Sequence, residues 1–322
     1  MKTIAEQLTG RLRCPACKGG LSRGPESMKC GGCGAAYPVA QGAPVLVDEA
    51  KSLFRIADCV ASAGSGERPR TWKDVVRDGV QKVLPSGGLN LSGKEKLAQL
   101  ARTLREESEA PRVLILGGAS LGVGAEAIVD DPAFLVVESD IVIGPRTNLV
   151  CDAHEIPFED GTFDAVVAQA VLEYVIDPFQ VAAEIHRVLK PRGFVYAESP
   201  FMQQVHGGAF DFFRFTHLGH RKLFQRFDEV DSGVVCGPAM AFSWSYRYFL
   251  RNLARSSPAR ALTDAFAKLT TGWLTRFDRS FKDSPAAYDA ASAFYFLGRR
   301  RETPVPDREI LAGYRGAWKM HR

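Results

Sequence analysis

Four short apolar runs, separated by helix-like stretches, constrain this chain more than anything else in it: VLILG at 113–117, AFLVVESD at 133–140, FDAVVAQ at 163–169 and FVYAES at 194–199. Runs of this length read as buried strands, and the amphipathic FQVAAEIHRVL at 179–189 reads as a helix between two of them. Strands alternating with helices make a parallel sheet with helices on both faces. Ligands of such sheets lie beyond the carboxyl ends of the strands. The first run leads directly into glycines at 117, 118, 122 and 124, which let the backbone approach a ligand closely and enter a helix N-terminus.

Both nucleotide cofactors and S-adenosylmethionine need such a turn, together with an acid about twenty residues on for the ribose. Gly122, Gly124 and Ala127 even match the dinucleotide fingerprint G-x-G-x-x-A, but the match begins too far past the strand for the usual tight turn.

Seven cysteines divide unevenly. Cys59, Cys151 and Cys236 are scattered, whereas Cys14 with Cys17 and Cys30 with Cys33 form two C-x-x-C knuckles near the N-terminus. Each knuckle points two thiolates at one place, so the pairs read as a tetrahedral zinc site of four thiolates, against the alternative of a redox disulfide. With every position filled by sulfur no water has a place on the metal, and the zinc is expected to be structural. A metal also explains how so short a segment folds. The remainder is ordinary for a globular chain of 322 residues, 46% hydrophobic and 24% charged. A net charge of +4 announces no nucleic-acid binder, and no apolar run is long enough to span a membrane. The N-terminus MKTIAEQLTG lacks the apolar core of a signal peptide, so a cytoplasmic location is expected.

The segment CPACKGGL followed by CGGCGAAYPVAQGAPVLV resembles the small zinc-ribbon family of methyltransferase activator subunits, over roughly residues 10 to 50. Further on, CDAHEIPFEDGTFDAVVAQAVLEYVIDP and AAEIHRVLKPRGFVYAESP resemble the class I S-adenosylmethionine-dependent methyltransferases, over roughly residues 111 to 235. The two resemblances imply an α/β fold: a doubly wound, Rossmann-like methyltransferase sheet with a small N-terminal zinc ribbon and a helical insertion before the last strand. The expected organisation is a ribbon at 1–50, a helical linker and leading helix at 51–110 with Asn90 and Ser92 closing over a cofactor, the methyltransferase domain at 111–300, and a basic extension at 301–322.

The methyltransferase resemblance also implies roles. Gly117, Gly118, Ser120 and Gly122 shape the loop under the methionine part of S-adenosylmethionine; Asp152 and Ala153 hold the adenine; Gln169 faces the transferring methyl. For the ribose the resemblance favours Glu138, with Asp140 the alternative. Four positions depart from the family pattern: Ile115 replaces an acid, Ala119 a glycine, Tyr174 a histidine and Arg192 a glycine. None does obligatory chemistry, because the sulfonium is already an activated donor.

The acceptor is less legible. SPFMQQVHGGAFDFFRFTHLGHRKLF at 199–224 falls where this fold keeps its acceptor loop and resembles a segment of a methyltransferase subset. His206, Asp211 and Arg214 are candidates for acceptor contact, with His206 as a general base, against the alternative that Asp211 and Arg214 pair structurally and Phe212, Phe213 and Phe215 are core. Two amphipathic helices at 238–290, AMAFSWSYRYFLRNLAR and ALTDAFAKLTTGWLTRFDRSF, set Trp244, Tyr248 and Trp273 beside arginines, suiting a lid, a homodimer contact or peripheral contact with an anionic membrane. The expected function is methyl transfer to a small-molecule, lipid or glycan acceptor, with a hydroxyl as the receiving group. An RNA or protein methyltransferase docking its substrate through the ribbon, and a scaffold without chemistry, are the alternatives. Against the macromolecular one, the asparagine-proline-proline-aromatic motif of amine methylation is absent from the strand end AVVAQAVL.

Overall fold

The computed structural model describes residues 4–62 and 89–318. The helix-like TWKDVVRDGVQKVL expected in the linker lies outside the described residues, with much of the breakers flanking it. In chain order, a short helix α1 (Glu6–Thr9) precedes the strands β1 (Leu21–Arg23), β2 (Ser27–Cys30), β3 (Ala36–Ala40) and β4 (Ala43–Leu46). Helix α2 (Ile56–Ser62) follows, then the leading helix α3 (Gly93–Glu107), whose bounds coincide with the amphipathic GKEKLAQLARTLREE. Its buried Leu97, Leu100, Ala101 and Leu104 recur at helical spacing, which is why this stretch packs on the sheet as a helix.

The sheet proper begins with β5 (Arg112–Leu116), followed by α4 (Glu126–Val129), β6 (Leu135–Asp140), β7 (Leu149–Cys151), β8 (Phe163–Gln169), α5 (Pro178–Val188) and β9 (Leu189–Pro200). Helix α5 starts where Asp177 caps it, its side chain accepting from the N–H groups of Phe179 and Gln180, with proline in the first turn. Then come α6 (His217–Leu223), β10 (Phe227–Cys236), α7 (Pro238–Leu253), α8 (Ser257–Thr271), a 3-10 turn (Gly272–Phe277), α9 (Asp278–Phe281), α10 (Pro285–Ala290), β11 (Ala293–Arg300) and α11 (Asp307–Ala312). The helical insertion sits between β10 and β11, ahead of the last strand.

The eleven strands of the described residues lie in one sheet, ordered β1-β2-β3-β4-β7-β6-β5-β8-β9-β11-β10. From β4 to β9 neighbours are parallel, and β9, β11 and β10 close the far edge antiparallel. The chain order reverses at β5, between β6 and β8, which opens the crevice where ligands bind such sheets. The ribbon is not a bead on a linker. Its last strand pairs with β7, Val45 against Val150 and Leu46 against Cys151, and its Leu8, Leu12, Met28 and Tyr37 join one core with Leu114, Phe158 and Phe163. The loop between β7 and β8 supplies the other half of the seam: Arg13 donates its N–H to the Pro157 carbonyl at 2.9 Å, and Arg11 and Arg13 both pair with Glu159.

Candidate functional site

At the N-terminal end the two knuckles bring Cys14, Cys17, Cys30 and Cys33 together with all four Sγ atoms within 4.8 Å of one another. Cys17 and Cys30 lie 3.4 Å apart and Cys14 and Cys33 3.7 Å. The N–H groups of Gly32 and Cys33 point at Cys30 Sγ, and that of Gly19 at Cys17 Sγ, the donor arrangement that steadies a thiolate. Four sulfurs converging on a point fit a tetrahedral zinc far better than one disulfide and two spare thiols.

Beyond the carboxyl ends of β5 to β9 lies a cavity of about 1090 Å³. Its floor is the glycine turn. Gly117 adopts a left-handed φ of +75°, and a Cβ there would meet Val171 Cγ2 at 2.6 Å. Gly122 lies against the Gln169 amide, where an added Cβ would sit 2.2 Å from Oε1. Gly117, Ser120 and Gly122 line the cavity; Gly118 does not, its N–H donating to the Ser139 carbonyl and its backbone pressed on Glu138. Gly118 therefore serves the approach of the turn to β6 instead of shaping the loop under a ligand.

The two acids of β6 separate cleanly. Glu138, favoured from sequence for the ribose, is turned away from the cavity: its carboxylate is buried and accepts from Arg146 Nε at 2.6 Å. Asp140, two residues on at the strand end, lines the cavity and ties down the turn, one oxygen accepting from the Ala119 N–H at 3.0 Å and the other from Ile141 and Val142. The spacing from the first glycine points to Glu138; alternation along a strand puts both residues on one face, but the pairing with Arg146 holds the Glu138 carboxylate out of the cavity that Asp140 lines.

Asp152 and Ala153 line the next part of the wall, after β7. Asp152 caps a 3-10 turn (Ala153–Glu155), accepts from His154 N–H at 3.0 Å and His154 Nδ1 at 2.6 Å, and receives the Ser52 hydroxyl at 2.5 Å. Burial works against its charge, but the hydrogen bonds from His154 and Ser52 hold the carboxyl below the usual range. Gln169, ending β8, donates to the Val123 carbonyl and to Glu198 Oε1. The next residue, Ala170, takes a left-handed φ of +53°, a strained turn at the strand end.

Sequence reasoning missed three contributors. Glu198, near the end of β9, lines the cavity and accepts from Tyr196 Oη at 2.6 Å, from Asn90 and from Gln169; burial raises its pKa in spite of these donors. An acid at the end of an apolar parallel strand was the available signal. Asn90 lines the cavity, while Ser92, expected beside it, is buried, donating to the Val234 carbonyl. The second contributor is the strap after the ribbon, where Lys51, Ser52 and Phe54 line the cavity and Phe54 stacks on Phe210 of the acceptor loop, ring centroids 5.6 Å apart. Only the chain reversal of the ribbon brings that strap here, and no local pattern encodes it.

The third is Glu173. Its side chain is fully buried, neither carboxyl oxygen has a hydrogen-bond partner among the described residues, and burial pushes its pKa up to about 8. His206 Nε2 lies 4.0 Å away. His206 Nδ1 lies 3.0 Å from the Gln204 carbonyl, a contact that orients the ring with Nε2 toward Glu173. Gly207, not His206, lines the cavity. Asp211 and Arg214, expected to touch the acceptor, instead clamp the loop: the wholly buried Asp211 accepts from Arg214 and from the His206 and Gly207 N–H groups, and Arg214 also donates to the Gln203, Gln204 and Phe213 carbonyls. The Arg214 hydrogen bond holds Asp211 well below the carboxylate range. Neither keeps a group free for a ligand. Of the phenylalanines, Phe215 is core and Phe212 exposed. His217 and His220 are buried and neutral, burial pushing them down to about 4 and about 3.

A model of the family described as "Methyltransferase domain" matches residues 135–197, from the start of β6 into β9. The ubiquinone/menaquinone biosynthesis C-methyltransferase of Desulfotalea psychrophila is 52% identical over 44 residues, 14% of this chain and 18% of that protein. The mitochondrial arginine-hydroxylase NDUFAF5 of Mus musculus is 40% identical over 57 residues, 18% of this chain and 16% of that protein. The chain thus spans less than a fifth of the length of these curated relatives. Among solved structures, a chain of the complex between the Haloferax volcanii Trm112 methyltransferase activator and a methyltransferase superposes with a TM-score of 0.42 at 19% identity, covering 71% of this chain and 96% of that one. Phosphoethanolamine N-methyltransferase 2 of Haemonchus contortus, with S-adenosyl-L-methionine, gives 0.43 at 16% identity over 74% and 59%. The matched segment takes in the parallel strands β6, β7 and β8 and most of β9, whose carboxyl ends line the cavity, so the likeness to a methyltransferase domain falls on the part of the chain that builds the site.

Proposed function

We propose that the chain transfers a methyl group from S-adenosylmethionine to a hydroxyl of a small-molecule, lipid or glycan acceptor, and that its ribbon holds a structural zinc on Cys14, Cys17, Cys30 and Cys33. The observation that carries this is the convergence on one cavity of Gly117, Gly122, Asp140, Asp152 and Gln169, each supplied by a different place in the sequence and each at a strand end or the turn beyond it. The residues fit the cofactor: the Gly117 and Gly122 backbones admit a ligand closely, Asp140 offers acceptor oxygens for ribose hydroxyls, and Asp152 offers them for an exocyclic amine. When bound, S-adenosylmethionine supplies a methyl already activated as a sulfonium. The protein's share is then alignment and exclusion of water.

The strap Lys51–Phe54 and the acceptor loop meet over the cavity through Phe54 and Phe210 and keep water from the reacting end. Gln169 and Glu198 present fixed dipoles at the floor. A hydroxyl acceptor needs a base, and His206 of the acceptor loop, with its Nε2 4.0 Å from Glu173, is the candidate, a role that requires its ring to turn toward the cavity that Gly207 now lines. Labelled methyl from S-adenosylmethionine, offered with fractionated lysate, tests the reading. Label in a small organic, lipid or glycan fraction is the expected result; label in RNA or protein transfers the activity to the macromolecular alternative. One relative is a hydroxylase, so the absence of transferred label from every fraction would count against methyl transfer itself.

A further inference from the structure

The insertion between β10 and β11 presents an apolar surface that the rest of the described residues leave uncovered. Along α8, the 3-10 turn and α9, Leu262, Phe266, Leu269, Trp273, Phe277 and Phe281 recur at steps of three or four, so they lie on one side of a continuous helical path. Each is between 45% and 72% exposed, and Trp273, Phe277 and Phe281 touch ring to ring along the stripe. Helix α7 repeats the pattern with Phe242, Tyr246, Phe249 and Leu253. Its other sides are spoken for: Ser243 meets Thr271 of α8, Arg247 pairs with Asp264, and Tyr248 donates to the Val205 carbonyl of the acceptor loop.

Charge selects the occupant. The insertion, residues 238–290, carries eight Lys and Arg against four Asp, the whole of the chain's net +4. Asp278 is buried against the N-terminus of α7, Asp264 is paired with Arg247, Asp289 accepts from the N–H groups of Ala317 and Trp318, and the exposed Asp283 is paired with Lys282, so the outward surplus is positive. A second copy would bring the same positive charge against it. An anionic bilayer supplies both things the face lacks, an apolar phase for the phenylalanines and leucines and negative headgroups for the arginines, with Trp273 suited to the boundary between them. No helix of the described residues is long and apolar enough to cross a membrane, which leaves binding in the plane of the surface. We infer that this insertion docks the protein on anionic lipid membranes through the Leu262–Phe281 stripe and its flanking arginines.

The inference needs neither cofactor nor acceptor, so it stands or falls separately from the methyl-transfer reading. Flotation of the full-length protein with phosphatidylcholine vesicles, with and without phosphatidylglycerol, tests it. The expected result is binding to the anionic vesicles, weakened by salt, and reduced about tenfold or more by Phe266→Glu with Leu269→Glu. Both side chains are exposed, so the circular dichroism spectrum and thermal midpoint of the double variant should match the parent. Failure of the parent to float with anionic vesicles, or equal binding by the double variant, would overturn the inference. So would a dimer by light scattering that the double substitution returns to monomer, since the face would then belong to a second copy.

Discussion

The wall of the cavity formed by β5 to β9 and the loop that covers it are built by opposite rules. On the wall, Asp140, Asp152 and Gln169 are fixed by backbone or side-chain hydrogen bonds at the ends of strands and still face the cavity. In the loop at 203–214 the charged groups satisfy one another, Arg214 reaching Asp211 and three carbonyls, and what faces the cavity is Gly207 and Phe210. A scaffold of strands can spend its side chains on a ligand because its own backbone is already paired; an irregular loop must spend them on itself. The wall should therefore respond to substitution in binding, and the loop in stability.

The largest effect belongs to the ribbon, because β4 and the wall share a sheet. Cys14→Ser with Cys30→Ser should empty the metal site and lower the thermal midpoint of the whole chain by more than about 10 °C, as read by metal analysis and calorimetry. A ribbon that lost its metal without moving the midpoint would mean the shared core is self-sufficient. Next, Gly122→Val should displace Gln169, whose amide occupies the space a Cβ needs, and abolish detectable S-adenosylhomocysteine binding while the fold survives. Asp211→Asn should act the other way: a destabilisation of about 2 kcal/mol or more in urea unfolding, because Arg214 loses its buried partner, with cofactor affinity little changed. A large loss of affinity with unchanged stability would erase the contrast between wall and loop.

Glu173 gives the smallest effect and a signed one. Its carboxyl titrates near 4.5 when unfolded and about 8 in the folded chain, so between those values the folded state holds a proton the unfolded state has lost, and stability falls as pH rises. Glu173→Gln should remove that slope, so the difference in unfolding free energy between parent and variant should grow in the variant's favour from about pH 5 to about pH 8. His217 and His220, held neutral by burial, work in the opposite direction on the acid side and cancel in the comparison. A pH-independent difference would place Glu173 in contact with water.

What the sequence made legible follows from range. The strands β5, β6, β8 and β9, the helices α3 and α5, and the paired knuckles are local patterns, and each lies within a few residues of its expected place. Strand β7 has three residues and no periodicity to read, and β10 hides in FDEVDSGVVC, where polar residues of an edge strand interrupt the alternation. In the cavity Gly117, Gly122 and Asp152 lie on the wall, while Gly118 serves the packing of the turn on β6. Spacing alone could not separate Glu138 from Asp140, because the decision rests on Arg146 reaching one of them. Ser52 on Asp152 and Phe54 on Phe210 join residues about a hundred or more positions apart, which no window along the chain contains.

The central claim, that the crevice at the reversal of strand order holds S-adenosylmethionine, is tested most directly by calorimetric titration of the metal-loaded protein with S-adenosylhomocysteine, with NADH as control, repeated on Asp140→Asn and Asp152→Ala. Micromolar binding of S-adenosylhomocysteine alone, weakened about tenfold or more by either substitution, is the predicted result. Binding of NADH in its place, or of neither ligand, would contradict it.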